Sequence, residues 1–435
     1  MYNLISLVGL FGFVGLGWLL SNNRRKINWQ TVGVGLLLQF ILGIVFLLWT
    51  PGTVFLHDVS DVVKEFLGLS FAGSQFIFGE LGDAKAVEGA FGAGKGFIFA
   101  FQILPTIIFF SSFLAVLYHL GIMQRIVQAI GWVMVRLMKT SGSESLSVSG
   151  NIFVGQTEAP LLVKPFLDSM TRSELFTVMV GGFATIAGGV FALYVGILDQ
   201  AGFKGSAGHL LIASVMSAPA ALVMAKLLFP ETEESETLGR VNLRTEKLAS
   251  NALDAAATGA LDGLKLALNV AAMLIAFLAL LAMVNWVLAG FHTEAWLAAD
   301  KLRVEGLGQE WSEPIRLQNI LGWIFSPLAA MLGVNWNDIP EVGTLLGTKI
   351  AVNELVAYSQ LGDYISQHAI SERSARIATY ALCGFANFSS VAIQIGGISA
   401  LAPGRKRDLA SFGIKAMMGG AFASWMTACV VGILD

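Results

Sequence analysis

A chain holds about eight stretches of some twenty or more mainly apolar residues only where lipid receives them, because a helix of that length crosses the hydrocarbon core of a bilayer. Here they fall at about 1–20, 31–49, 95–120, 173–199, 208–229, 254–291, 373–402 and 409–433. Only 13% of the residues are charged, where soluble domains carry about 25%, and the mean hydropathy is +0.70. So little charge argues against a water-soluble enzyme. With 27 basic and 30 acidic residues there is no basic excess for nucleic acid either. The 48 glycines suit closely packed and interrupted membrane helices. Cys383 and Cys429, both in apolar stretches, give neither a disulfide framework nor a metal-ligand pair.

The first stretch is followed, not preceded, by Arg24, Arg25 and Lys26, so it reads as a retained helix with its N-terminus outside and the basic cluster in the cytoplasm. Residues 51–94 and 122–138 mix apolar and charged positions in the manner of amphipathic helices at the membrane surface. Residues 141–168 and 318–362 differ from both. Each has apolar pieces too short to span, set around a polar centre, which is the pattern of a re-entrant hairpin. The inserts 230–250 and 292–317 carry charges and are expected in water.

Residues 141–229 and 335–433 read as two copies of one plan: a hairpin with a central glutamate, a long span, then a second span. Gly182-Phe183-Ala184-Thr185 in the first long span matches Gly384-Phe385-Ala386-Asn387 in the second. Repeats with polar-interrupted segments at corresponding positions are the mark of secondary transporters, whose site lies near the midplane between the repeats. The expected fold class is therefore all-α and polytopic, with about eight transmembrane helices, two re-entrant hairpins in an inverted repeat, and interfacial helices.

Carboxylates inside a membrane are functional candidates by default. Glu158 lies beside Gln156 and Thr157, and Glu354 beside Asn353, each within an interrupted element. Such groups can accept hydrogen bonds from hydroxyls or ring N–H groups, coordinate a cation or carry a proton. Asn387 in a long apolar span needs partners, whereas Ser389 and Ser390 alone read as back-bonded serines. Thr185 precedes Ile186-Ala187-Gly188-Gly189, where a helix can unwind and free hard oxygen ligands suited to Na⁺. Lys164 and Lys349 read as snorkelling or helix-capping side chains. The chain has no phosphate loop and no nucleophile or zinc-protease motif, so transport has to draw on an ion gradient.

Three motifs, Gly155-Gln156-Thr157-Glu158-Ala159-Pro160, Asn353-Glu354-Leu355-Val356-Ala357-Tyr358 and Cys383-Gly384-Phe385-Ala386-Asn387-Phe388-Ser389-Ser390, resemble the hallmark motifs of the concentrative nucleoside transporters. Leu104-Pro105-Thr106-Ile107-Ile108-Phe109-Phe110-Ser111 and Tyr118-His119-Leu120-Gly121-Ile122-Met123-Gln124 match that family too, and the resemblance runs in order from about residue 95 to the end. It implies a homotrimer in the bacterial plasma (inner) membrane, with a scaffold part and a transport part that moves like an elevator, importing nucleosides such as uridine together with Na⁺. Carried over by motif, Gln156, Thr157 and Glu158 would meet the nucleobase, Val190 and Phe385 would pack nearby, and Glu354, Asn387 and Ser390 would hold the ribose hydroxyls. The Na⁺ ligands would be the carbonyls of Asn151, Val154 and Ile186 with the hydroxyl of Thr185, where some relatives have serine.

Five regions are expected: N-terminal helices in 1–50, scaffold and interfacial helices in 51–140, the first hairpin repeat in 141–229, a loop with a long scaffold helix in 230–334, and the second hairpin repeat in 335–435. Two rival readings use the same residues. One is a proton-coupled nucleoside carrier with Glu158 or Glu354 as the proton site. The other is a channel, or a membrane-embedded enzyme with those carboxylates as an acid/base pair.

Overall fold

The structure, a computed structural model, describes residues 1–92, 98–239, 249–290 and 316–435. Among the described residues there are helices and turns but no strand, only an isolated bridge between Ser141 and Leu238. Seven helical segments are long and apolar enough to cross a membrane: Tyr2–Leu19, Trp29–Leu48, Phe99–His119, Arg172–Gln200, Ser206–Leu228, Ala252–Ala289 and Pro403–Leu434. The expected span at 373–402 is two shorter helices, Glu372–Leu382 and Phe388–Leu401. Asn387 starts the second of these by accepting a hydrogen bond from the Ser390 backbone N–H, which makes a new helix rather than continuing the old one. The segment Arg172–Gln200 is interrupted at the matching place, into Arg172–Ala184 and Gly188–Gln200, with Thr185 and Ala187 extended. These pairs are called here broken helix one (172–200) and broken helix two (372–401).

The spans fall into two groups. Arg172–Gln200, Ser206–Leu228 and Pro403–Leu434 have 83%, 89% and 83% of their most apolar windows buried inside the protein, whereas the other four have 11–28%. Of the exposed group, Tyr2–Leu19 and Trp29–Gly43 pack on Ser206–Leu228 and Lys406–Leu434, and Leu104–His119 packs on Gly188–Gln200. The insert at 51–94 begins with Thr50–Gly68, Ser70–Phe78 and Ala84–Phe91, and the amphipathic helix Ile122–Met138 buries Met123, Val127, Gly131, Met134, Val135 and Met138 along one face. The 254–291 stretch is a single helix, Ala252–Gly290. It lies along Leu104–His119 through Gly259 and Gly263, where a Cβ on Gly263 would sit 2.8 Å from Ile108 Cα. The insert at 292–317 lies almost wholly outside the described residues, and so does 240–248 of the other charged insert.

Hairpin one pairs the helix Gly142–Asn151 with the 3₁₀ segment Ala159–Phe166, and hairpin two pairs Ile339–Ala351 with Glu354–Ser366. The first arm of hairpin one is not apolar as expected but serine-rich, and all of its residues are buried. Small side chains let it pack closely among protein helices instead of facing lipid.

A buried ion pair secures the base of this hairpin. Ser141 and Glu144 form a reciprocal cap on its first helix, and Thr171 and Glu174 form another on broken helix one. Lys226, in the last turn of Ser206–Leu228, places its ammonium 2.7 Å from Glu144, 3.5 Å from Glu231 and 2.9 Å from the Ser173 hydroxyl. Residues 231–238 of the charged insert close over it, with the Gly142 N–H donating to the Thr237 carbonyl at 2.9 Å and the hydroxyls of Ser235 and Thr237 donating to Glu174. The near end of that insert is thus a fitted strap, held by carboxylates that need donors. Lys226→Met leaves those carboxylates buried without their cation, so we expect a loss of about 3–5 kcal/mol. It would be read as a lowered melting temperature of the detergent-solubilised protein.

Candidate functional site

The two broken helices cross at their interruptions. Gly384, with φ +116°, lies against broken helix one so closely that a Cβ there would meet the Phe183 carbonyl oxygen at 2.5 Å and the Ala184 carbonyl carbon at 2.8 Å. The matching tetrapeptides of the two repeats are therefore in backbone contact. From the other side Gly420, in the helix Lys406–Leu434, lies as close to Phe183, so that Phe183 and Ala184 sit between two glycines. Only residues without a side chain allow this approach.

A continuous hydrogen-bonded chain, made of side chains and the Ser390 backbone N–H, runs beside the crossing. Glu354, the first residue of the second arm of hairpin two, accepts from the Tyr194 hydroxyl at 3.0 Å and from the Asn387 amide at 2.8 Å. Asn387 Oδ1 in turn accepts from the Ser390 N–H at 2.8 Å and from the Ser389 hydroxyl at 2.7 Å. The Gln156 amide, at the tip of hairpin one, donates to the Ser390 hydroxyl at 3.2 Å and accepts from Gln394 Nε2 at 3.1 Å. Gln394 also donates to the Met179 carbonyl at 3.2 Å. Gln156, Glu354, Asn387 and Ser390 are all buried, and they link both hairpins with both broken helices. These groups satisfy one another, so a polar ligand entering here has to offer hydroxyls or ring N–H and acceptor groups in exchange.

Other expected residues sit at the edges of this chain. Thr157 is half-buried against Gly397, Phe385 is half-buried, and Val190 is buried in Gly188–Gln200. Glu158 stands apart: it is exposed, its carboxylate folds back over Gly155, and it has no hydrogen-bond or ion-pair partner among the described residues. Tyr194 and Gln394 join the chain without standing out in the sequence motifs. Gln394 is an amide in an apolar helix, the same signal that marks Asn387. Tyr194 is hidden by its aromatic ring, which stacks on Tyr358 at 4.5 Å between centroids.

The proposed ion ligands gather where the tip of hairpin one meets the interruption of broken helix one. The Gly188 N–H donates to the Phe153 carbonyl at 3.0 Å and ties the two together. Thr185 and Ile186 are buried there, with the Thr185 hydroxyl on the Gly181 carbonyl at 3.0 Å. Among the described residues nothing donates to the carbonyls of Asn151, Val154 or Ile186, and Asn151 Oδ1 is buried without a partner. Unpaired oxygens at a helix C-terminus and an unwound segment suit a hard monovalent cation. No cluster of three His, Cys, Asp or Glu side chains offers a transition-metal site among the described residues.

Family models agree on what kind of protein this is. The "Na+ dependent nucleoside transporter C-terminus" matches residues 209–432, its N-terminal companion matches residues 8–81, and a "nucleoside recognition" model matches residues 100–201. The chain belongs to the Na⁺-dependent, concentrative nucleoside transporter family. It is 43% identical to solute carrier family 28 member 3 of Rattus norvegicus, across 99% of this chain and 59% of that protein's length. It is 41% identical to an uncharacterized transporter of Haemophilus influenzae, across 99% of this chain and 97% of the other. Among solved structures, CNTnw in an inward-facing substrate-bound state matches with a TM-score of 0.88 at 40% identity, covering 100% of this chain and 98% of that one. A doubly substituted CNTnw in an outward-facing state matches with the same TM-score, identity and coverage.

The family is one of multi-pass membrane transporters and not of enzymes, so the reading of Glu158 and Glu354 as a catalytic acid/base pair falls away. Their separate settings, one exposed and one buried in the chain from Tyr194 to Gln394, suit separate roles. The crossing that positions this chain can be tested directly. Gly384→Ala forces a Cβ into the Phe183 carbonyl and strains a backbone angle reserved for glycine, at a cost of at least about 2 kcal/mol. A clear drop in melting temperature is expected, and an unchanged one contradicts the crossing described here.

Proposed function

We propose that this chain is a secondary active transporter that carries nucleosides inward by symport with Na⁺. The observation that carries the reading is the side-chain network joining Glu354 and Asn387 to Ser390 and Gln156 across both repeats. In this reading Glu354 accepts from two vicinal ribose hydroxyls, Asn387 both donates and accepts, and Ser390 completes the set. Gln156 and Thr157, with Glu158 moving in from its exposed position, address the nucleobase, and Val190 and Phe385 pack against it. A site of this kind rejects analogues lacking the hydroxyls, because its own polar groups are then left unpaired.

Na⁺ enters as cargo. Its ligands would be the carbonyls of Asn151, Val154 and Ile186 with the Thr185 hydroxyl, the oxygens that support the reading by having no donors of their own. An ion held there ties the tip of hairpin one to broken helix one, and so sets Gln156 in place for the nucleobase. The two ligands then bind with positive and reciprocal coupling.

The transport part comprises 141–229 and 335–435, two repeats of opposite orientation, and the scaffold comprises 1–50, 51–140 and 230–334. The split between deeply buried and lipid-exposed helices supports this division. We place the protein as a homotrimer in the bacterial inner membrane, with the transport part moving against the scaffold as an elevator. The inward- and outward-facing CNTnw structures, equally similar to this chain, are consistent with such motion.

The first test is uridine uptake into proteoliposomes under a Na⁺ gradient and, separately, a proton gradient. Concentrative uptake with Na⁺ alone is expected. Uptake driven by protons alone keeps the nucleoside pocket and removes the sodium site. Uridine affinity that is equal with and without Na⁺ would sink the coupling argument. Glu354→Gln removes a buried charged acceptor, and we expect it to raise the half-saturating uridine concentration by about ten- to a hundredfold. Gln394→Leu, which frees the Gln156 amide, should weaken uridine binding by about fivefold or more, with half-saturating Na⁺ extrapolated to zero uridine changed less.

A further inference from the structure

The corresponding corner of the second repeat is built differently. Lys349, in the last turn of the first arm of hairpin two, is fully buried and does not snorkel. Its ammonium donates to the Ala381 carbonyl at 2.9 Å, the Cys383 carbonyl at 3.3 Å and the Ser424 hydroxyl at 3.0 Å. An ammonium has three donors, and all three are used. The two carbonyls lie where Glu372–Leu382 ends and broken helix two is interrupted, just before Gly384, Phe385 and Asn387. Ser424 belongs to Lys406–Leu434, beside the Gly420 that packs on the crossing, and donates to the Gly420 carbonyl at 3.3 Å.

In both repeats, then, a hairpin's first arm ends beside the interruption of a broken helix, at oxygens released by helix ends. In the first repeat those oxygens have no donor. In the second they are filled by a positive charge attached to the chain.

We infer that the Lys349 ammonium is a tethered cation, doing permanently in the second repeat what Na⁺ does reversibly in the first. It is a positioning residue, since it touches neither nucleoside nor ion. Holding Ala381, Cys383 and Ser424 on one nitrogen fixes the start of the Cys383–Asn387 turn, and so presents Phe385 and Asn387 to the nucleoside without a second ion. The inference rests on the symport reading above, and its test separates the two.

The experiment compares wild type, Lys349→Met and Lys349→Ala by uridine binding titrated against NaCl, with melting temperatures as a control for folding. Losing a fully buried charged donor is expected to weaken uridine binding about tenfold or more in both variants. Half-saturating Na⁺, extrapolated to zero uridine, should change less than uridine affinity does, because the Lys349 ammonium bonds none of the proposed ion ligands. Ethylammonium should restore Lys349→Ala, whose cavity admits it, and not Lys349→Met, whose side chain fills the space.

Uridine affinity unchanged in both variants overturns the inference. So does a folded Lys349→Ala that ethylammonium fails to restore, the result expected of a purely structural lysine. If neither variant folds, the wild type decides through the charge moved per uridine in proteoliposomes. One positive charge agrees with a lysine occupying the second position, and two contradict it. A wild type that ignores Na⁺ overturns the symport reading, while amine rescue of uridine binding still judges Lys349.

Discussion

The centre of this protein depends on two interrupted helices being able to touch backbone to backbone. An interruption inside a membrane exposes N–H and carbonyl groups where no water reaches them, at several kcal/mol for each group left unpaired. It is tolerated only when other parts of the protein cover it. Here the cover is mutual: Gly384 sits on Phe183 and Ala184, and Gly420 closes the other side. Other groups are met one at a time, the Gly188 N–H by the Phe153 carbonyl, the Ser390 N–H by Asn387 Oδ1, and the carbonyls of Ala381 and Cys383 by Lys349, while the Ile186 carbonyl has no donor among the described residues. Without the crossing, Gln156 and Glu354 would belong to separate hairpins with nothing between them. With it, they are two ends of one hydrogen-bonded chain.

The chain is not equally anchored at its two ends. Glu354 and Asn387 are held by Tyr194, by helix capping and, through Cys383, by Lys349, all of which are parts of the polypeptide. Gln156 is held by Gln394 and Ser390, on a hairpin tip whose neighbouring oxygens lack donors. In the proposed reading, with Na⁺ supplying what that tip lacks, Glu354 and Asn387 would form a preorganised ribose half and Gln156 a nucleobase half conditional on the ion. Such a division would give the proposed coupling without moving most of the site. An ion that orders only one tip can still govern affinity, because nucleoside binding needs both halves at once.

The sequence exposes some of this and hides the rest for physical reasons. Long apolar runs and polar-centred hairpins are legible because lipid imposes them residue by residue. The break in broken helix one could be suspected at Thr185-Ile186-Ala187-Gly188-Gly189, where β-branched residues meet glycines. The break in broken helix two is hidden within one apolar run, since apolar content says nothing about where Asn387 starts a new helix. The serine-rich arm of hairpin one resisted reading because burial inside protein and exposure to water permit the same small polar residues. Gln394 carried a readable signal, an amide in an apolar helix. Lys349 was ambiguous: its length allows snorkelling as well as capping, and its three acceptors come from segments distant in sequence.

The repeat is legible in its order of elements, but residue for residue only at its centre, and its outer ends explain why. At the base of the first repeat a cation, Lys226 in the last turn of Ser206–Leu228, binds Glu144 of the hairpin. At the base of the second the charges are reversed: Asp435, following the helix Lys406–Leu434, binds Arg373 and Arg376 of broken helix two. An acidic group at a helix C-terminus opposes the helix dipole. Arg373 offsets that opposition by also donating to the Gly432 carbonyl at 2.6 Å. Both arrangements clamp the end of a buried helix to the repeat that it closes, and neutralised charge is all the clamp requires, so either sign serves. The crossing asks for more. It needs backbone without side chains at one place, which Gly384 and Gly420 supply, while the matching Gly182 of the first repeat makes room for Gln394 and Gln156 instead.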